Sequence, residues 1–411
     1  MTMATICRSV GDIPADDWRA LARGVDQSRA YLTYRERLEP GDPVLVVIRD
    51  SAGPAAALHG SLTTPRTALF SHPWKMLSSD QFLRLSGEAD ADREPVRDHQ
   101  RLLDELLGPG PRLEGFAARI GEAMVLRGFD TSAALLRSGL SEDAKLVATL
   151  ILLRRLQGLV REGAAGAIVL PFVHPADALL RRALAETGFC AGVLTGASVF
   201  DLSGTRSYED FVATLPGRRR YRYRKEQQAF ASAGMTTRTV MLEDHLERLA
   251  DLEANNIERY GGTPDRTRLA AVRAEMAKLL GPAVRVPVAE IDGSIVACGI
   301  DLVDENSYLV LAYGCDYSVA EHQKAYPQLL CYDPIRFATS HGLTQVRLGF
   351  ESFHAKVQRG ARLETRETWI WLPSVSAMRP LTSLLAFLST RTRAFFGSLV
   401  DTSSARFLGD S

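Results

Sequence analysis

The sequence lacks the markers of several functional classes. Its five cysteines, Cys7, Cys190, Cys298, Cys315 and Cys331, are odd in number and never form a C-x-x-C pair. Neither a disulfide framework nor a structural zinc site is expected, and a reducing compartment fits. Net charge is zero, from 49 basic and 49 acidic residues, which argues against a protein that coats nucleic acid while leaving room for local basic patches. Apolar runs such as Leu146 to Leu153 are far shorter than the ~20 residues a bilayer-spanning helix needs. The start, MTMATICRSVGD, has no basic segment followed by an apolar run, so no secretory leader is expected and the simplest location is cytoplasmic. No metal-ligand cluster, Ser-His-Asp order or G-x-G-x-x-G stands out, so no metal and no tightly bound cofactor is expected.

What is present suits an α/β protein with mixed sheets. The 411 residues, 46% hydrophobic, are enough for two cores. The first part reads as a strand from Ala4, a helix after Pro14, a helix over Tyr31 to Leu38 and a hairpin from Val44 to Leu62 turning at Asp50 to Pro54. A strand at Thr67 to Ser71 and helices over 95–107 and 112–126 follow. A helix from Glu142 to Val160, a strand from Ala167 to Phe172, a helix opened by Pro175 and a strand from Cys190 to Leu202 complete a unit. The boundary falls at Ser203 to Ser207. Beyond it the plan recurs: a helix over Tyr208 to Ala233 interrupted near Pro216-Gly217, a strand at Thr236 to Leu242, and helices at Asp244 to Tyr260 and Pro264 to Leu280. Next come a hairpin turning at Asp292-Gly293, a strand at Tyr308 to Tyr313, a helix at Pro327 to His341 and a strand at Val346 to Phe350. The domains expected are therefore 1–203, 204–375 and a helical tail, 376–411. In the tail Leu384, Leu385 and Leu388 lie beside Arg391 and Arg393, a pattern for packing back on the domain or for peripheral contact with a membrane.

Two stretches carry chemistry. Val346 to Leu363, VRLGFESFHAKVQRGARL, puts Glu351, His354, Lys356 and Arg359 at the end of an apolar strand, where open α/β sheets expose side chains to a crevice. The corresponding place in the first half offers His174 and Asp177, with Trp74 and Lys75 a lesser candidate. The second stretch is Arg218, Arg219, Arg220, Arg222, Arg224 and Lys225 after Pro216-Gly217. Cations in a first helical turn oppose the helix dipole, so a run of six either meets an anion or forms a solvated face balanced by Glu209, Asp210 and Glu226. Tyr221 and Tyr223 among them suit stacking on a base or packing inward.

Leu215-Pro-Gly-Arg-Arg-Arg, Ala312-Tyr-Gly-Cys-Asp-Tyr317, Tyr326-Pro327 and LGFESFHAKVQRGA at 348–361, taken in that order, resemble the FemAB-like branch of the GNAT acyltransferases. The resemblance covers roughly residues 160–372 and implies two tandem GNAT-like domains, the first degenerate, and transfer of an acyl group to an amine. It implies a lysine at Lys356 that stabilises the oxyanion of the tetrahedral intermediate, a role worth ~3–4 kcal/mol; the bland alternative is a solvated helix lysine. Glu351 is a candidate proton acceptor, or else a cap or ion-pair partner, with His354 and Asp316 as further candidates. Tyr317, Tyr326, Phe353 and Arg359 are expected at the substrate, and the basic run at the phosphates of the donor. That donor is aminoacyl-tRNA or acyl-CoA. Where GNAT domains place a glycine-bearing pyrophosphate loop, this chain has Gln323-Lys-Ala-Tyr-Pro-Gln-Leu, without the glycines that let backbone approach phosphate. Aminoacyl-tRNA is thus the expected donor. The acceptor is an amine on a specialised metabolite, as in antibiotic biosynthesis, or on a cell-wall precursor. A non-catalytic RNA- or peptide-binding protein on the same scaffold is the competing class.

Overall fold

A computed structural model describes residues 4–64, 72–79, 81, 83, 94–126, 132–319 and 322–408. The protein divides into two compact units, Met1–Gly196 with Thr365–Asp401, and Ala197–Glu364 with Thr402–Ser411. These bounds differ from those expected at 203/204 and 375/376. The first division falls inside a strand, the chain returns to the first unit at Thr365, and most of the tail belongs to that unit. A boundary read from loop composition misses this, because strands cross between the units without a linker.

In the first unit the strands are β1 (Ala4–Cys7), β2 (Pro43–Asp50), β3 (Gly53–Leu62), β4 (Ala123–Leu126), β5 (Ala134–Leu136), β6 (Ala167–Val173) and the start of β7 (Cys190–Asp201). The β2–β3 hairpin turns at Gly53, whose φ of 102° suits glycine. Helix Arg112–Arg119 is shorter than the 112–126 expected, because Gly121 at φ 93° breaks it and AMVL continues as β4. The strand expected at Thr67 to Ser71 lies outside the described residues. Helix Glu142–Arg161 starts on Ser141, whose Oγ accepts from Ala144 N at 3.2 Å. It buries Leu152, Leu153 and Leu156 in a core shared with Val46, Leu58 and Leu170.

The C-terminal helix Val375–Leu408 runs unbroken through Pro380. Leu381, Leu384 and Leu385 are fully buried, and a Cβ on Gly192 would stand 2.9 Å from Leu385 Cβ. Glycine is required at that approach, so this stretch of the tail is a packed element.

In the second unit follow β8 (Thr236–Val240), β9 (Val284–Ile291), β10 (Ser294–Val303), β11 (Ser307–Cys315) and β12 (Gln345–Arg347), in the order β7-β12-β11-β10-β9-β8. The last strand, β13 (Arg362–Trp371), carries the chain back to the first unit at Thr365 and pairs there with β6 through Glu367 to Trp371. The β9–β10 turn has Asp292 at φ 49° and Gly293 at φ 76°, the two positive values of the hairpin turn that matches strand twist. β11 and β12 are parallel and so need a crossover. It is made by helix His322–Pro327, a π-helical turn Gln328–Tyr332 and helix Asp333–Ser340, starting earlier than the expected Pro327. Tyr223, Tyr308, Leu329, Tyr332 and Ile335 are at the centre of this core.

Candidate active site

The site begins where two parallel strands part. β11 pairs with β12 over Ser307 to Leu309 against Gln345 to Arg347. Residues 348–349 then stay with β7 instead: Leu348 N donates to Ser198 O at 2.8 Å, and Ser198 N to Gly349 O at 3.1 Å. The strand expected at Val346 to Phe350 thus ends at Arg347. Gly349 at φ 72° and Ser352 at φ 54° turn the chain into helix Phe353–Val357. A non-glycine residue in the left-handed region is strained, and such strain clusters at functional sites.

That turn carries Lys356 inward. The residue is 6% exposed, and Nζ donates to Leu348 O at 2.5 Å. An ammonium has three donors, of which this carbonyl takes one. Burial pushes the amine down to about 8, against the attraction of Cys331 and Glu351. The lysine is not the solvated residue of the bland alternative.

The three candidate proton acceptors are placed differently. Glu351 is exposed at the bend before the helix and close enough to act electrostatically on Lys356. His354 is exposed two positions from Lys356, and residues two apart on a helix do not face each other. Its Nε2 lies 2.9 Å from Gln358 Nε2 instead. Asp316 follows β11, but Arg248 Nη2 donates to it at 3.0 Å and Ser318 Oγ at 2.6 Å. These two partners hold its carboxyl below the usual range, which suits a fixed anion rather than a base.

The expected substrate residues are partly committed elsewhere. Arg359 pairs through Nε and Nη2 with Glu226 at 3.0 and 2.9 Å, and its Nη1 donates to Ala355 O at 2.7 Å. The Tyr332 hydroxyl also donates to Glu226, and the Tyr223 hydroxyl to Arg359 O at 2.8 Å. Arg359 is therefore a brace. Phe353 is buried. Tyr317 donates to Asn256 Oδ1 at 2.7 Å under the guanidinium of Arg259, and Tyr326 meets Tyr313 edge-on at 5.3 Å.

The basic run is divided by the helix Gly217–Ser232. Arg220 Nη1 donates to Leu215 O at 2.9 Å, capping the preceding helix Tyr208–Thr214. Arg219 packs near Gly360, and Arg224 is exposed. Arg222 Nη1 donates to Gln358 Oε1 at 2.5 Å. Arg218, Tyr221, Arg222, Lys225 and Glu226 line a cavity of about 530 Å³ with Lys324. Sequence reasoning missed Gln358; it had Glu226 only as a balance for the basic run and Lys324 only within Gln323-Lys-Ala-Tyr-Pro-Gln-Leu, without bringing them together. The i,i+4 spacing of Arg222 and Glu226 was a visible signal that the two share a helix face.

In the first half the expected site dissolves into local structure. Asp177 Oδ1 caps Leu180 N at 3.2 Å, and His174 Nδ1 accepts from Ala176 N at 3.0 Å. Trp74 donates to Gly121 O at 3.1 Å and stacks on Phe116.

A profile of the FemAB-like family, described as peptidoglycan biosynthesis/recognition, matches residues 135–391, more than half of the chain. The protein belongs to the FemAB-like family. The crystal structure of FemX is similar to this FemAB-like protein with a TM-score of 0.56 at 10% identity, over 93% of this chain and 99% of that one. A conserved protein of unknown function from Bacteroides thetaiotaomicron VPI-5482 gives 0.51 at 14% identity, over 90% and 100%. A tandem GNAT protein from the clavulanic acid biosynthesis pathway gives 0.46 at 12%, over 91% and 100%. At such identities the first two structures speak to the fold alone, the mixed α/β arrangement expected of the FemAB-like class. No curated protein sequence matches the chain. Family membership supports an acyl- or aminoacyltransferase in general. Among the described residues no helix is long and apolar enough to cross a membrane.

Proposed function

We propose that this FemAB-like protein forms amides by moving an aminoacyl group from aminoacyl-tRNA to an amine of a small metabolite or cell-wall precursor. The observation that carries this reading is Lys356, a buried cation held on Leu348 O where β11 and β12 part. In a water-poor site a fixed donor aimed at a developing oxyanion is worth far more than in water. The amine nitrogen attacks the ester carbonyl, and its C–N bond forms as the carbonyl oxygen takes the negative charge facing Lys356. Glu351, solvent-exposed and electrostatically linked to Lys356, accepts the proton of the attacking nitrogen. Collapse breaks the C–O bond to the ribose, whose oxygen leaves with a proton. Direct attack is favoured over a covalent intermediate, because burial pushes Cys331 up to about 11 and Cys298 higher still, away from the reactive thiolate form. The donor acts as a co-substrate with no tightly bound cofactor, and the location is cytoplasmic.

The choice of aminoacyl-tRNA over acyl-CoA is supported by the helix opening at His322, whose first residues, His322-Gln-Lys-Ala-Tyr-Pro, carry no glycine for close phosphate approach. The pure protein, given an amine library and either labelled aminoacyl-tRNA or acyl-CoA, is expected to yield amide from the former alone. Turnover with acyl-CoA and none with tRNA would overturn the donor.

A further inference from the structure

Where β12 ends, its ladder to β7 is irregular. Leu202 N donates to Thr344 O, and Val346 lies opposite Phe200, so regular alternation would have Leu348 and Ser198 exchange both of their backbone bonds. Only one is exchanged. Leu348 N donates to Ser198 O at 2.8 Å, whereas Ser198 N passes over Leu348 and donates to Gly349 O at 3.1 Å. Two residues thus oppose one, a β-bulge, and bulges re-aim groups beside active sites. Here the re-aimed group is the Leu348 carbonyl, which leaves the ladder and accepts from Lys356 Nζ. The same register fixes where Ser198 points. Phe200, Val346 and Leu348 share one core with Cys331, which acts electrostatically on Lys356, and a strand's period of two puts Ser198 on the face of Phe200. Ser198 is 0% exposed, and its Oγ has no hydrogen-bond partner. A buried hydroxyl without a partner costs stability, and alanine would fill the place without that cost. Beside it the backbone is uncrowded: a Cβ on Gly349 would meet only Val310 O, at 3.9 Å.

We propose that Ser198 is a second donor to the acyl oxygen: its hydroxyl and the Lys356 ammonium hydrogen-bond the same carbonyl oxygen as charge develops on it. The inference rests on the acyl-transfer reading above and is independent of the carrier, because an ester and a thioester present the same oxygen. Lys356 has three donors and Leu348 O takes one, so the ammonium can serve backbone and substrate together. The hydroxyl hydrogen of a serine rotates to suit its acceptor. With no protein acceptor engaged, it is available to a substrate oxygen. In the reaction the amine nitrogen forms its bond to the acyl carbon, the C=O π pair moves to oxygen, and both donors strengthen their hydrogen bonds to it. On collapse the pair returns and the bond from carbon to the carrier's oxygen or sulfur breaks, while the nitrogen's proton goes by way of Glu351 to the leaving atom. Ser198 keeps its proton throughout and forms no bond to carbon. A contact made most strongly in the transition state raises kcat, and it accounts for a hydroxyl left unpaired in the free protein.

Ser198→Ala in the full chain is the test, because a donor role and a structural role move stability in opposite directions. With the donor role, kcat falls roughly 10²-fold, the low end of the loss on removing an oxyanion donor. KM changes little, and the urea midpoint holds or rises, since an unpaired hydroxyl has left the core. Ser198→Cys, close in size and a weak donor, is expected to lose kcat as well while far-UV circular dichroism shows it folded. In a Lys356→Met background, Ser198→Ala is expected to cost much less than in wild type, because groups acting on one oxygen are not additive. An unchanged kcat in Ser198→Ala overturns the inference. So does a lowered urea midpoint with a loss of kcat that is the same in both backgrounds. Wild-type protein that makes no amide from either carrier is a separate failure: it removes the transferase reading, and this inference with it.

Discussion

Lys356 reads in the sequence as one cation among several between Glu351 and Arg359, and burial separates it from the rest. Its proposed role and its cost have the same origin: removing an ammonium from water disfavours the charge and strengthens what the charge does locally. Lys356→Met is expected to lower transfer by roughly 10²–10³-fold, the usual loss on removing an oxyanion donor, measured as kcat with the protein still folded. In wild type, transfer is expected to decline above about pH 8, where the amine loses its proton. Stability moves the other way. From about pH 8 up to the ~10.4 of an unperturbed lysine, the unfolded chain holds a proton that the folded chain has lost, so stability rises with pH. Urea midpoints of wild type and Lys356→Met at pH 7.5 and 10 test this; an identical gap at both would contradict a depressed amine. Glu226 and Arg359 give a second residue-scale test. Arg359 is buried and Glu226 half-buried, and a polar group left unpaired in such a place costs ~1–3 kcal/mol. Glu226→Ala and Arg359→Ala are each expected to destabilise by about that much, and the double variant by clearly less than their sum in a denaturation cycle.

At the scale of elements, periodicity and turn residues located most helices and strands of the second unit, because 3.6-residue and two-residue patterns follow from which face is buried. The lapses have local causes. β12 stops at Arg347 because Gly349 adopts a positive φ, and a run of apolar letters cannot reveal that turn. The crossover helix starts at His322 and continues through Pro327 and a π-helical turn; π-turns are rare and often mark functional sites. Close approach of elements rests on single glycines. A Cβ on Gly314 of β11 would stand 2.6 Å from the backbone at Leu252 and Glu253 in helix Leu246–Arg259. Backbone cannot step aside as a flexible side chain would, so Gly314→Ala is expected to destabilise by roughly 1–3 kcal/mol or more, read as a lowered urea midpoint.

For the molecule as a whole, the C-terminal helix belongs to the first unit as far as Asp401, with Leu381, Leu384 and Leu385 fully buried. Deleting residues 376–411 is expected to lower the melting temperature and to speed amide exchange in β7 near Gly192. Unchanged exchange there would mean the helix contributes little to that sheet. The sequence by itself determined the mixed α/β class, the FemAB-like relationship and the stretch from Glu351 to Arg359 as the place to look, because composition, periodicity and short motifs are local properties. Only the tertiary structure decided how those residues divide. Burial and pairing depend on neighbours distant in the chain: Leu348 O for Lys356, Glu226 for Arg359, Lys324 for the basic helix. Lys356 is thus a buried cation, Arg359 a brace and Asp316 an ion pair, a division that letters along the chain do not carry.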